Sequence, residues 1–380
     1  MSLTAELKEY AVKQGVDLIG VTSAKAFEVD GMGKPLMDPR AYLENAKSIV
    51  VFGYYFGDQL TEPSRPDAPR GRLSPGLEAF SAMDEYCYQV IKEYLNERGY
   101  NAVKRERGQN IPLKPLAVKA GIGVYGKNSL VHADGFGFWI YLEGVITDAP
   151  LEAEDRPYKL SDCGDCIACI EACPTNAIKE PYKVMPSLCI AEWLDGAPIP
   201  RELRKKVGKR LTGCEICQEV CPKNQRLIPR RHYPVEIEEK SDSPELIPLL
   251  LGDENYYKTV LPNHVLEMDI STLRRNVALA LGNIRDPMAV PALVQVLSYS
   301  EPKVRSYAAW ALGRIGGRKA REALARSLNS EVDLEVQKEI KVALQLARGN
   351  VESQVLKRGS PGRSEGFLSR ENSKGLKSDP

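Results

Sequence analysis

CGDCIACIEACP (Cys163–Pro174) is the stretch that decides how this chain folds. Its spacing, Cys163-x2-Cys166-x2-Cys169-x3-Cys173-Pro174, is the run with which a short loop wraps an inorganic iron–sulfur cube. Three thiolates of such a run hold one cube, and the fourth reaches a second. The matching half lies downstream: CEICQEVCP (Cys214–Pro222) is a shorter run, and Cys189 stands between the two. Two [4Fe–4S] cubes need eight thiolates, and eight of the nine cysteines fall between Cys163 and Cys221. The bacterial two-cluster rule assigns Cys163, Cys166, Cys169 and Cys221 to cluster one. Cluster two then takes Cys173, Cys189, Cys214 and Cys217. Zinc is the rival, because paired Cys-x2-Cys units also build zinc sites. It explains neither the third closely spaced cysteine nor the two Cys-Pro pairs. The ninth cysteine, Cys87, lies in an apolar helical stretch (MDEYCYQVI) and reads as a packed core thiol.

Composition agrees with a reduced, globular chain. The 380 residues are 43% hydrophobic and 27% charged, which suits two or three domains. No apolar run approaches the ~18 residues of a spanning helix. Met1–Asp30 contains no signal-peptide core, so the reading is cytoplasmic, with no membrane partner. The formal charge of +1 neither demands nor excludes nucleic acid. Two clusters at about −2 each bring the loaded protein to about −3.

Upstream of the cysteines the pattern is α+β. Leu3–Gln14 reads as an amphipathic helix, Val16–Val21 and Ser48–Phe56 as strands, and Ser64–Leu77 as a loop. Ala79–Arg98 reads as a long helix, Pro115–Ala120 as a short one, and Phe136–Thr147 as a strand. Downstream, LRRNVALALGNI (Leu273–Ile284) recurs 31 residues later as VRSYAAWALGRI (Val304–Ile315). AVPALVQVL (Ala289–Leu297) recurs at the same offset as AREALARSL (Ala320–Leu328), and a third copy begins at Val336. Helix pairs at this period form a HEAT-like α-solenoid. Two and a half repeats are too few to stand alone, so they should pack on the preceding domain. The expected domains are 1–154, 155–230 for the two clusters, 231–348 for the repeats, and a disordered Ser/Gly/Lys/Arg-rich tail over 349–380.

Gly121-Ile-Gly123-Val-Tyr-Gly126 matches G-x-G-x-x-G, but it follows a helix and not a strand, so a dinucleotide site is rejected. With Lys127 and Asn128 it still suits close backbone approach to a large ligand. Arg201–Arg231 holds ten Lys/Arg against three Glu. That segment either offsets cluster charge on a solvated surface or faces RNA. The three histidines, His132, His232 and His264, include no Asp-x-His-x-x-Gly arrangement that would ligate cobalamin from below.

These segments together resemble the epoxyqueuosine reductases, cobalamin-dependent iron–sulfur enzymes of queuosine biosynthesis. The matching text is PLAVKAGIGVYGKNSL (Pro115–Leu130), FGFWIYLEGVITDAPLE (Phe136–Glu152), PIPRELRKKVGKR (Pro198–Arg210), ACPTNAIKEPY (Ala172–Tyr182), CEICQEVCPKN (Cys214–Asn224) and the whole cysteine frame. The resemblance implies a nitroreductase-like cobalamin-binding domain, a two-[4Fe–4S] ferredoxin-like domain that feeds cobalt, and repeats that help hold tRNA. It implies that Gly123, Tyr125, Gly126, Lys127, Asn128 and Ser129 border the corrin. A low-potential donor such as ferredoxin or flavodoxin would supply electrons. One departure stands out. Counting back from Pro115 without a gap puts Arg107 where the family has its proton-donating Asp, and arginine cannot donate a proton at neutral pH. Glu106 and Tyr125 are the candidates to replace it. This departure marks a divergent member, and it keeps a second reading open: a double-cluster electron carrier or corrinoid reducer without a tRNA substrate. All eight thiols lie upstream of Asp269, so removing the repeats is expected to leave both clusters intact.

Overall fold

The computed structural model describes residues 1–25, 38–56, 68–104, 111–224, 227, 233–237 and 240–358. Glu106, Arg107 and His232 lie outside the described residues, as does 359–380 of the expected tail.

Helix α1 (Leu3–Lys13) starts where the Ser2 hydroxyl accepts the Ala5 N–H at 3.4 Å, and it ends before Gly15. Strands β1 (Leu18–Ser23), β2 (Ser48–Tyr55) and β3 (Ala102–Lys104) follow, then a hairpin of β4 (Val124–Tyr125) and β5 (Val131–His132), then β6 (Ile140–Thr147). The main sheet runs β1-β2-β6-β3, antiparallel throughout. All eight residues of β2 are buried, because it is central and covered on both faces. One face carries α1 and α2 (Leu77–Asn96). Ala79, Met83, Cys87, Ile91 and Leu95 recur every fourth residue along α2, which gives it one continuous apolar stripe. The other face carries α3 (Leu113–Lys119) and the β4–β5 hairpin, through Leu116, Ile122 and Val131.

The strand expected over Phe136–Thr147 begins only at Ile140. Residues 133–137 close a turn instead, with Ala133 and Gly137 bridged and Gly137 at φ 63°. The Phe138 N–H then donates to Asn224 Oδ1 at 2.8 Å, which draws this segment onto the cysteine-rich domain.

Residues 152–161 run back along the first domain like lacing. The Glu152 N–H donates to Thr4 Oγ1 at 2.6 Å. Glu154 donates to the Val21 carbonyl (2.9 Å), Arg156 to Lys119 (2.8 Å) and Ser161 to Tyr125 (2.6 Å), while the Tyr125 N–H reaches Lys159 (3.0 Å). Beyond the lacing, β7 (Ile178–Glu180) and β8 (Lys183–Val184) form a small hairpin between the two cysteine runs.

The repeat helices are Ile270–Ile284, Val290–Val296, Pro302–Ile315, Arg318–Ser330 and Leu334–Arg358. The last continues past Gly349, where the sequence reading begins a disordered tail. The repeats do pack on what precedes them, since a single core joins Leu73, Ile190, Trp193, Leu211, Leu249, Leu273, Trp310 and Ile340. Burial of each such side chain contributes on the order of 1.5–3 kcal/mol. A barely exposed guanidinium, Arg275, donates to the backbone carbonyls of Trp193 and Ala197, the latter at 2.9 Å. Its neighbour Asn276 donates to Leu194 (2.9 Å) and Leu211 (2.8 Å), and Asn283 to Arg204 (3.0 Å) and Gly208 (2.9 Å). Removing the repeats would therefore also remove contacts to the segments around Cys189 and Cys214, which weighs against the expectation that they come away without touching the clusters. Cys189 opens the helix that ends at Leu194, and Cys214 lies just past Leu211, so the first repeat helix clasps the segments that carry these two cysteines.

Candidate iron–sulfur and cofactor site

The eight cysteines from Cys163 to Cys221 are coupled electrostatically across the two runs and Cys189. Cys169 is raised by burial and by the charges of Cys221, Cys163 and Cys166. Cys221, from the other run, is raised by burial and by Cys163 and Cys166. Cys217 is pushed far up by burial, then by Cys214 and Cys189, with Cys169 and Cys173 further out. Burial lifts Cys214 to about 11, with Cys189 adding to it. Cys189 is likewise raised by burial and senses Cys173. The couplings thus cross between the runs, with Cys221 sensing Cys163 and Cys189 sensing Cys173. Groups so raised are thiols when free and become thiolates only when a cationic iron core displaces the proton. Among the described residues no three His, Cys, Asp or Glu gather as the ligands of one ion would.

Cys173 differs from the rest. Burial pushes it up, but hydrogen bonds from Thr175, Ala177 and Ile178 outweigh that and hold it below the usual thiol range. The Ala177 N–H lies 3.2 Å from its sulfur. The turn after Cys173-Pro174 thus presents N–H donors to the sulfur, as a cluster ligand requires.

The glycine turn is placed beside the first foursome, through the β4–β5 hairpin and the lacing. A side chain at Gly123 would sit 2.3 Å from the His132 carbonyl, and one at Gly126 would meet the Phe138 ring. Both glycines are therefore required by packing within the chain, not by an open cradle. Two polar atoms of the turn are left over: the Asn128 Nδ2 and Ser129 Oγ are buried without a hydrogen-bond partner among the described residues, and Ser129 is held at φ 60°. This polar pair fits a ligand rich in amide groups, such as a corrin. Lys127 does not share that duty. Its ammonium donates to the carbonyls of Gly164 (2.6 Å) and Cys166 (3.1 Å), in the loop of the first foursome. The Tyr125 phenol is pushed up by burial and by Tyr158, so it stays protonated.

The basic segment divides. Arg204 is buried, ion-paired to Glu339 at 3.1 Å and stacked on Tyr307, so it is a core residue. Arg201 also pairs with Glu339 (2.8 Å), and Lys223 with Asp162 (2.6 Å). Lys205 and Lys206 are exposed. Sequence reasoning missed one buried acid, Asp84, which pairs with Lys104 at 2.7 Å. Burial lifts its carboxyl to about 6. An acid on the apolar stripe of α2, between Met83 and Cys87, was the available signal. It lies on the α2 side of the sheet, opposite the glycine turn.

Residues 162–224 match the 4Fe-4S double cluster binding domain, and residues 267–345 match HEAT repeats. Matched domains, paired foursomes and solenoid define a double-[4Fe–4S] oxidoreductase with a helical-repeat end. The chain is 31% identical over 383 residues to epoxyqueuosine reductase of Bacillus subtilis strain 168, covering 92% of this chain and 97% of that one. It is 30% identical to the Listeria monocytogenes enzyme of the same name, covering 89% and 96%. A crystal structure of epoxyqueuosine reductase with an epoxyqueuosine-modified tRNA-Tyr stem loop superposes with TM-score 0.78 at 28% identity, over 91% of this chain and 99% of that one. A Bacillus subtilis structure whose aspartate-bearing catalytic loop is swung out of the active site superposes at 0.77 and 28% identity, over 90% and 98%. The chain belongs to the epoxyqueuosine reductase family, whose members are cobalamin-dependent. Among the described residues, no helix is long and apolar enough to cross a membrane.

Proposed function

We propose that this chain reduces epoxyqueuosine to queuosine in tRNA, with Cys163, Cys166, Cys169 and Cys221 holding one [4Fe–4S] cluster and Cys173, Cys189, Cys214 and Cys217 the other. The observation that supports this reading is the lacing of the glycine turn to the loop of Cys163 and Cys166, which would put a cluster held there beside that turn. Removing the epoxide oxygen as water takes two electrons and two protons and leaves a carbon–carbon double bond. Cobalamin, when bound, would supply a cobalt centre that takes up electrons singly and, once low-valent, passes them on to the substrate. Asn128 and Ser129 would hold it through their unpartnered polar atoms, and Gly123, Tyr125 and Gly126 would form the wall of the turn. Residues 1–154 serve as the cobalamin domain, 155–230 as the cluster domain and 231–348 as a tRNA-supporting solenoid. The electrons come from a ferredoxin, a flavodoxin or another low-potential donor, in the cytoplasm.

The proton source is where this chain departs from its relatives. The segment that aligns with their aspartate carries Glu106 and Arg107. A positioned general acid is worth about 10²–10⁴ in rate. The test is anaerobic turnover of an epoxyqueuosine-modified tRNA stem loop by wild type, Arg107→Asp and Glu106→Gln. Slow wild-type turnover, lower in Glu106→Gln and higher in Arg107→Asp, is expected. Cobalamin-loaded protein that forms no queuosine in any variant would end this reading. Failure to bind cobalamin at all would favour the electron carrier.

A further inference from the structure

Lys127 belongs to the glycine turn by sequence and to cluster one by contact. Its ammonium donates to the carbonyls of Gly164 at 2.6 Å and Cys166 at 3.1 Å. Those peptides belong to the loop between the first ligands of cluster one. Its own carbonyl accepts the Tyr182 N–H at 2.9 Å, and the Tyr182 hydroxyl donates to the Ser161 carbonyl at 3.3 Å. Both ends of this one residue therefore grip the cluster domain.

Lys223, the other cation near cluster one, is paired with Asp162 at 2.6 Å. Lys127 forms no ion pair among the described residues. Arg210, which acts on Cys214 of the other foursome, shares the attraction of Glu215. A cation favours the reduced cluster, which carries one more negative charge. Exposure acts in the same direction, because solvent stabilises the added charge. Cys166 is exposed, whereas Cys173, Cys189, Cys214 and Cys217 are all partly buried.

We infer that Lys127 is a positioning residue that fixes cluster one against the glycine turn and sets its reduction potential above that of cluster two. This rests on the two-cluster assignment proposed above. Electrons would then run downhill from the buried cluster to the one beside the turn. Each step moves a single electron between clusters, with one oxidised as the other is reduced.

The test is an EPR-monitored redox titration of protein reconstituted with iron and sulfide, without cobalamin. In Lys127→Met the higher-potential signal should move down towards the lower one while eight iron remain bound. Lys127→Arg, which keeps charge and donors, should restore the gap. Should Lys127→Met fail to hold cluster one, Lys127→Gln keeps one donor without charge and is titrated in its place. A wild-type gap in the neutral variant, or an equal shift of both signals, overturns the inference alone. Wild type that takes up no iron overturns the cluster assignment as well.

Discussion

The two foursomes sit in unlike surroundings. Cluster one's thiols lie at a half-exposed edge, gripped by Lys127 and flanked by the Lys223–Asp162 pair. Cluster two's thiols lie against the large shared core, behind Trp193 and Leu211, where Arg275, Asn276 and Asn283 clasp the backbone. The first setting belongs to the cofactor turn and the second to the solenoid. One ferredoxin-like unit is thereby divided between two supports, and each support can be attacked separately.

The strongest blow to this contrast is truncation before Asp269. It removes the clasp and uncovers Leu246, Leu249, Leu261 and Val265. The shortened chain should lose cluster two and fall from eight iron to four or fewer by chemical assay, with much reduced solubility. A soluble truncation with eight iron would erase the distinction between the two settings.

Cysteine exchange is the next largest effect. Cys173→Ala, although in the first run, should cost the buried cluster. Cys221→Ala, although in the second, should cost the exposed one. Iron content and EPR signals distinguish the two losses, and any variant that loses the cluster of its own run breaks the crossed assignment.

Arg275→Met should destabilise the folded protein by about 2–4 kcal/mol, because it removes the buried guanidinium's hydrogen bonds to the Trp193 and Ala197 carbonyls. The loss should appear in denaturant melts of the reconstituted protein, with cluster two bleaching first. Equal bleaching of both clusters would mean that the clasp serves the whole fold and not one cluster.

The smallest effect concerns Asp84, which lies near neither cluster. Burial raises its folded carboxyl to about 6, above an unfolded value near 4. The neutral form is the better folded one, so its contribution is present below about pH 4 and fades as pH rises through about 6. Lys104 at 2.7 Å softens the loss. Asp84→Asn should flatten the stability profile between pH 4 and 7 without shifting either cluster's potential. A shifted potential would tie this polar pair to electron transfer.

The cysteine frame and the repeats were legible because chemistry fixes the spacing of one and stacking fixes the period of the other. Lys127 was legible as a member of the glycine turn but not in its role, since only the fold brings Gly164 and Cys166 to it. The glycines suggested a ligand cradle, yet Gly123 and Gly126 answer to His132 and Phe138. Arg275 and Asn276 look like ordinary polar residues in a repeat. At the same register the next copy has Ser306 and Tyr307, and that mismatch was the available sign that the first repeat helix contacts something different.

The lacing of residues 152–161 has a kinetic meaning. Tunnelling between redox centres weakens exponentially with their separation, so a slack joint would let the transfer rate wander over orders of magnitude. Here Glu152, Glu154, Arg156, Lys159 and Ser161 are each tied to the first domain by a backbone bond. The spacing between the glycine turn and the loop of Cys163 and Cys166 is therefore set when the chain folds, whatever binds outside it.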